Sequence, residues 1–190
     1  MQLSLDGYVS AADGKSDWMI WDFGKEWPWD KALREYHTDL TASVDCVLLS
    51  RKMAEEGFIG HWAAMAKNTG DPQAAFAGNI AKTHKVVFTK TLERSVWDNT
   101  ELAKGGLVVE VNALKEQDGG DMIVYGGASF VSALIKARLI DEYHFVINPA
   151  ILGTGLAIFK EAGRMGLSLM DARSYDCGVA VLIYNYNQHV

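Results

Sequence analysis

Basic residues are in short supply: 18 Lys+Arg stand against 24 Asp+Glu in 190 residues, a formal charge of −6. Gripping nucleic acid requires clustered cations that displace counterions from phosphates. The longest basic pairing is Arg51-Lys52, so a nucleic-acid partner is not expected. Cysteine is scarcer still. Cys46 and Cys177 lie far apart in apolar settings, which reads as two reduced core residues of a cytoplasmic protein rather than a disulfide. The histidines at 37, 61, 84, 144 and 189 form no HxxxH pair, and no CxxC occurs, so no metal is expected. No run approaches the ~18 apolar residues of a membrane span. The start Met1-Gln2-Leu3-Ser4-Leu5-Asp6 lacks the basic and apolar stretches of a secretory signal. Only Pro28, Pro72 and Pro149 punctuate the chain, without repeats or low-complexity linkers, and this predicts a single domain over residues 1–190.

What is present is an alternation of strands and helices. Hydrophobic residues make up 49% of the chain and charged ones 22%, enough for a core that needs no staple. A short strand is predicted over 3–9, followed by an aromatic-rich loop and a helix over 29–40 with apolar residues at three- and four-residue spacing. Cys46-Val47-Leu48-Leu49 is an apolar run too short for a helix, as expected of a strand covered on both faces. A short helix over 52–57 follows, then strands over 84–89, 107–111 and 121–125. An amphipathic helix is predicted over 129–138, and antiparallel strands over 142–147 and 179–186. The pattern is that of an α/β sandwich with a mostly parallel sheet.

The chemistry-bearing segments fall where these strands end. Residues 121–129 read as strand, then Gly126-Gly127-Ala128-Ser129, then helix. Such a turn offers free backbone N–H groups and the positive end of a helix dipole to an anion. The alternative is a tight turn with Ser129 as helix cap. Ser50-Arg51-Lys52 closes a second strand with a hydroxyl and two cations, and Thr89-Lys90 closes a third. Arg and Lys there suit a dinucleotide 2′-phosphate or are solvated surface cations. Carboxyl ends of strands in open α/β sheets are where ligands bind. Trp18, Trp21, Trp27 and Trp29, with Phe23 between them, wall a pocket for a flat heterocycle or stack on their own core. Neither a GxSxG elbow nor a GxGxxG fingerprint is present.

In this order the motifs resemble the dihydrofolate-reductase-like fold. More narrowly, they resemble the family of the C-terminal reductase domain of the bifunctional riboflavin-biosynthesis deaminase-reductase. The segments that carry the resemblance are Ser4-Leu5-Asp6-Gly7-Tyr8-Val9, Val47-Leu48-Leu49-Ser50-Arg51-Lys52-Met53 and Val124-Tyr125-Gly126-Gly127. With them come Leu139-Ile140-Asp141-Glu142-Tyr143 and the run Asn148 to Gly155, with Phe159 close behind. The resemblance implies a three-layer sandwich with a mostly parallel central sheet and an antiparallel C-terminal edge. It also implies an NADPH site built from Ser50, Arg51, Lys52, Met53, Thr89, Lys90, Gly126, Gly127, Ala128 and Ser129. Hydride would pass to a planar ring held by Asp6, the tryptophans Trp18, Trp21 and Trp29, Tyr125 and Pro149.

Asp6 is the expected substrate-contacting or proton-donating carboxylate, its pKa raised if desolvated; otherwise it forms an Asp-Gly turn. Ser50 and Met53 stand where the family has glycine and threonine. Arg34 falls near the pterin-binding acid of true dihydrofolate reductases, which argues against dihydrofolate as substrate. Three readings remain: a reductase of a small pterin- or pyrimidine-like heterocycle, a non-catalytic binder on the same fold, and a structural or partner-binding domain. A homodimer is expected, with the apolar stretch 179–186 as its surface.

Overall fold

A computed structural model describes residues 1–15, 17–20 and 29–187. In chain order its elements begin with β1 (Gln2–Leu3), β2 (Tyr8–Ala11), α1 (Lys31–Ala42), β3 (Val44–Ser50), α2 (Arg51–Glu55), α3 (Phe58–Met65), α4 (Ala74–Lys82) and β4 (His84–Phe88). They continue with β5 (Thr100–Ala103), α5 (Leu107–Lys115), β6 (Asp121–Val124), α6 (Ala128–Lys136), β7 (Glu142–Ile147), β8 (Gly155–Ala157), β9 (Gly166–Ser174) and β10 (Ala180–Asn187). The chain forms two compact units, Arg34–Phe130 and Met1–Leu33 with Val131–Val190.

The unit Arg34–Phe130 is built on a parallel sheet in the order β5-β4-β3-β6. Its strands are the short apolar runs of the sequence, and Val47, Leu49 and Val87 are fully buried. Register pairs Ser50 with Phe88 and Leu48 with Val124, so the carboxyl ends of β3, β4 and β6 share one edge. Trp62 of α3 and Phe76 of α4 meet edge to face with centroids 4.8 Å apart. Lys85 of β4 is buried, and its ammonium donates to the carbonyls of Ala81 at 2.7 Å and Thr83 at 2.6 Å. That contact satisfies carbonyls the end of α4 would otherwise leave open, while burial lowers the lysine pKa.

One expected strand of this unit is a helix. Residues 107–111 carry Val108, Val109 and Val111, which favour strands, yet they open α5. The Glu110 carboxylate accepts the N–H of Gly105, just before the helix, at 2.5 Å, and Val111 is buried, so these contacts override the intrinsic preference. The strand beside β4 is instead β5, Thr-Glu-Leu-Ala.

In the other unit the sheet runs β1-β7-β10-β9, with β1 parallel to β7 and the remaining pairs antiparallel; β2 and β8 form a separate antiparallel pair. The expected strand over 3–9 is broken by a turn at Ser4–Gly7, closed by the Gly7 N–H on the Ser4 carbonyl at 3.0 Å, with Gly7 at φ +86°. The apolar stretch 179–186, expected as a dimer surface, is mostly β10. That strand lies between β7 and β9 with Val181 fully buried, so it presents no sheet edge. The edge strands are β1 and β9, and in β9 Leu167, Leu169 and Met170 are exposed. The fold is mixed α/β with a parallel sheet.

Candidate functional site

Two strand ends of the parallel sheet pack against each other. Ser50 ends β3 in extended conformation and caps α2, its hydroxyl accepting the Met53 N–H at 3.2 Å. Across from it, the turn after β6 places Gly127 at φ +75°, and a Cβ there would lie 2.8 Å from the Ser50 hydroxyl oxygen. A Cβ on Gly126 would come within 3.5 Å of the Met53 methyl. Ser50, Met53, Gly126 and Gly127 are thus brought together as expected. Part of the demand for glycine, however, comes from the neighbouring turn of the chain itself.

The first turn of α6 is the open part of this arrangement. Helical geometry leaves its leading N–H groups without intrahelical partners. Among the described residues no side chain accepts from the N–H of Gly127, Ala128 or Ser129. Ser129 is exposed and free of the capping role. Arg51 and Lys52 are exposed at the adjoining strand end. Arg51 Nη1 meets both Glu55 oxygens at 3.1 and 3.2 Å, and Lys52 Nζ lies 3.6 Å from Glu56 Oε1.

Thr89 and Lys90 are committed internally. The buried Thr89 hydroxyl accepts from the N–H of Thr91 and Leu92 at 3.2 and 3.1 Å. The Lys90 ammonium donates to the carbonyls of Lys104, at 2.7 Å, and Gly105. Tyr125 packs its ring near Phe58 and Phe76, with centroids at 6.2 and 6.0 Å. Its hydroxyl is buried without a hydrogen-bond partner among the described residues, and burial pushes the phenol pKa up. Uncapped N–H groups, a glycine turn and exposed cations form a donor set that fits a phosphate-bearing dinucleotide.

Asp6, in the other unit, differs from expectation. Its carboxylate accepts from the Ser4 hydroxyl at 2.7 Å, from Leu152 N–H at 3.1 and 3.2 Å and from Gly153 N–H at 2.7 Å. The Ser4 bond, followed by the backbone donors, outweighs desolvation and lowers the pKa. The expected rise is therefore absent, because the group is exposed and hydrogen-bonded as an anion. At neutral pH Asp6 holds no proton to donate. It ties the β1–β2 turn to the run after Pro149.

Sequence reasoning assigned no role to Asn148, which is fully buried just before that run. Its Oδ1 accepts the Ile20 N–H at 2.9 Å and its Nδ2 donates to Gln2 Oε1 at 2.9 Å. An asparagine closing the apolar strand β7 was the available signal. Trp18 is partly exposed and donates from Nε1 to the Lys15 carbonyl at 3.2 Å. Trp29 is buried at 3% exposure, which leaves it almost no surface for a ligand. Pro149 is exposed. Trp21, Trp27 and Phe23 lie outside the described residues. Both cysteines are free, no metal-holding group of His, Cys, Asp and Glu occurs among the described residues, and no described helix is long and apolar enough to cross a membrane.

Comparison with known proteins adds to this geometry. The family model described as RibD C-terminal domain matches residues 1–182. The uncharacterised protein YyaP of Bacillus subtilis (strain 168) is 26% identical over 190 residues, 98% of this chain and 93% of its own. Among solved structures, the Thermotoga maritima diaminohydroxyphosphoribosylaminopyrimidine deaminase/5-amino-6-(5-phosphoribosylamino)uracil reductase superposes with a TM-score of 0.64 at 17% identity, covering 98% of this chain and 55% of that one. Dihydrofolate reductase from Enterococcus faecalis, complexed with NADP(H), superposes with a TM-score of 0.53 at 12% identity over 98% of this chain and 94% of that one. At these identities the structural likeness establishes the fold.

Proposed function

The chain belongs to the RibD C-terminal domain family, and from that premise we propose that it is an NADPH-dependent reductase. Its substrate in this reading is a small planar heterocycle, pterin- or pyrimidine-like and not dihydrofolate. The observation that carries the proposal is the uncapped first turn of α6 behind Gly126-Gly127, beside the exposed Arg51 and Lys52. In this reading the N–H groups of Gly127, Ala128 and Ser129 hold the pyrophosphate, and Arg51 and Lys52 face the 2′-phosphate. The Ser50 hydroxyl and Gly127 keep the two turns in register. A bound dihydronicotinamide supplies the hydride. Tyr125 keeps its phenolic proton and Asp6 has none to give, so the chain contributes binding and orientation while the substrate proton comes from solvent. Asp6, Trp18, Tyr125 and Pro149, each exposed or half-buried, are the substrate-contact candidates of this reading. The proposed setting is the cytoplasm, and a homodimer, checked by sedimentation, remains part of the proposal.

The test is a titration with NADPH followed by tryptophan fluorescence, then a screen of pterins and pyrimidines for loss of reduced-nicotinamide absorbance. Saturable binding with substrate-dependent oxidation is expected, and absence of binding would refute the reading. A second reading, a non-catalytic binder, is favoured by Ser50 and Met53 and by the internal commitment of Thr89 and Lys90. It predicts binding without turnover.

A further inference from the structure

The two cations assigned to the 2′-phosphate are not free charges. Arg51 Nη1 contacts both oxygens of Glu55, the last residue of α2, and Lys52 pairs with Glu56, the residue that caps it, each four positions on. Two positive and two negative side chains leave this strand end locally uncharged. Helix stability does not explain the order of the pairs. Cations at the start of a helix and carboxylates at its end both oppose the dipole, and acid before base is the better orientation at this spacing. The order here is the reverse, in a helix of five residues with no acid in its first turn.

We infer that Glu55 and Glu56 set the cofactor selectivity of this end: by neutralising Arg51 and Lys52 they let the chain accept NADH nearly as well as NADPH. The inference rests on the proposed cofactor site. A 2′-phosphate approaching Arg51 gains the guanidinium but meets the Glu55 carboxylate that already holds it, and the same applies at Lys52 and Glu56. NADH, lacking that phosphate, forgoes the attraction and escapes the repulsion. The pyrophosphate, common to both, is held by backbone N–H groups of α6 that do not distinguish them.

The experiment titrates wild type and the double variant Glu55→Gln/Glu56→Gln with NADPH and NADH, following tryptophan fluorescence and calorimetric heat, at low and high salt. Gln preserves side-chain length and helix propensity, and equal thermal midpoints confirm that the fold is unchanged. Wild type is expected to bind both within about fivefold, and the variant to favour NADPH by about tenfold more, with a steeper salt dependence for NADPH alone. A wild type that already rejects NADH strongly, or an unchanged preference in the variant, would overturn this inference and leave the reductase reading standing. Binding of neither cofactor by wild type would overturn the reductase reading and this inference with it.

Discussion

The turn after β6 and the turn between β1 and β2 are of similar size, yet their polar groups are disposed in opposite ways. Around Asp6 the Ser4 hydroxyl, the Tyr8 N–H and the N–H groups of Leu5, Leu152 and Gly153 all find partners within the chain. At the start of α6 the leading N–H groups find none among the described residues. A turn that satisfies itself is scaffold. One that leaves donors pointing outward from a rigid sheet edge has capacity for a ligand, because a ligand there displaces water rather than an internal bond.

The largest test of that contrast is Gly127→Val. Positive φ and the approach to Ser50 make it destabilising by about 3 kcal/mol in urea unfolding, so lost cofactor binding in this variant would not by itself implicate the pyrophosphate. Asn148→Leu, on the self-satisfied side, should cost about 2 kcal/mol by stranding the Ile20 N–H and Gln2 amide. A stability equal to wild type would show that region to be less interlocked than its bonds indicate. Ser129→Glu separates fold from ligand. A carboxylate in the first turn of α6 favours the helix dipole, so the thermal midpoint should hold or rise slightly, while NADPH affinity falls by about tenfold. Parallel falls in both would mark Ser129 as structural. The smallest effect is acid sensitivity. Because the folded state holds the Asp6 carboxyl below its ordinary value of 3.8, its contribution is present above that pH and is lost as pH falls through the folded value. Asp6→Asn should therefore show a shallower decline of thermal midpoint below that pH than wild type.

Much of the architecture was legible in the sequence, for a physical reason. Buried parallel strands such as β3, β4 and β6 need continuous apolar runs and β-branched residues, and their ends need glycine or hydroxyl residues; β7 and α6 carried equally clear periodicities. Strand β5 was not legible, because Thr-Glu-Leu-Ala is four residues long and holds one β-branched side chain. The exposed strand β9 carried no face pattern to read. At the site, Ser50, Gly126 and Gly127 could be read because strand-end chemistry is local. The role of Asp6 could not, since its partners Leu152 and Gly153 are remote in sequence. The pairs Arg51–Glu55 and Lys52–Glu56 stood at visible four-residue spacing, but only the geometry shows that they close.

Helix α5 carries a consequence for the life of the chain outside its native state. Leu107-Val108-Val109-Glu110-Val111 is a segment whose own preference is extended, held helical by its surroundings, with Val108 and Val109 still facing solvent. In a nascent or heat-opened chain those surroundings are absent, and the segment has the composition that stacks into intermolecular β-structure. Native packing, by holding α5 helical, therefore also keeps this stretch out of extended pairing with other chains.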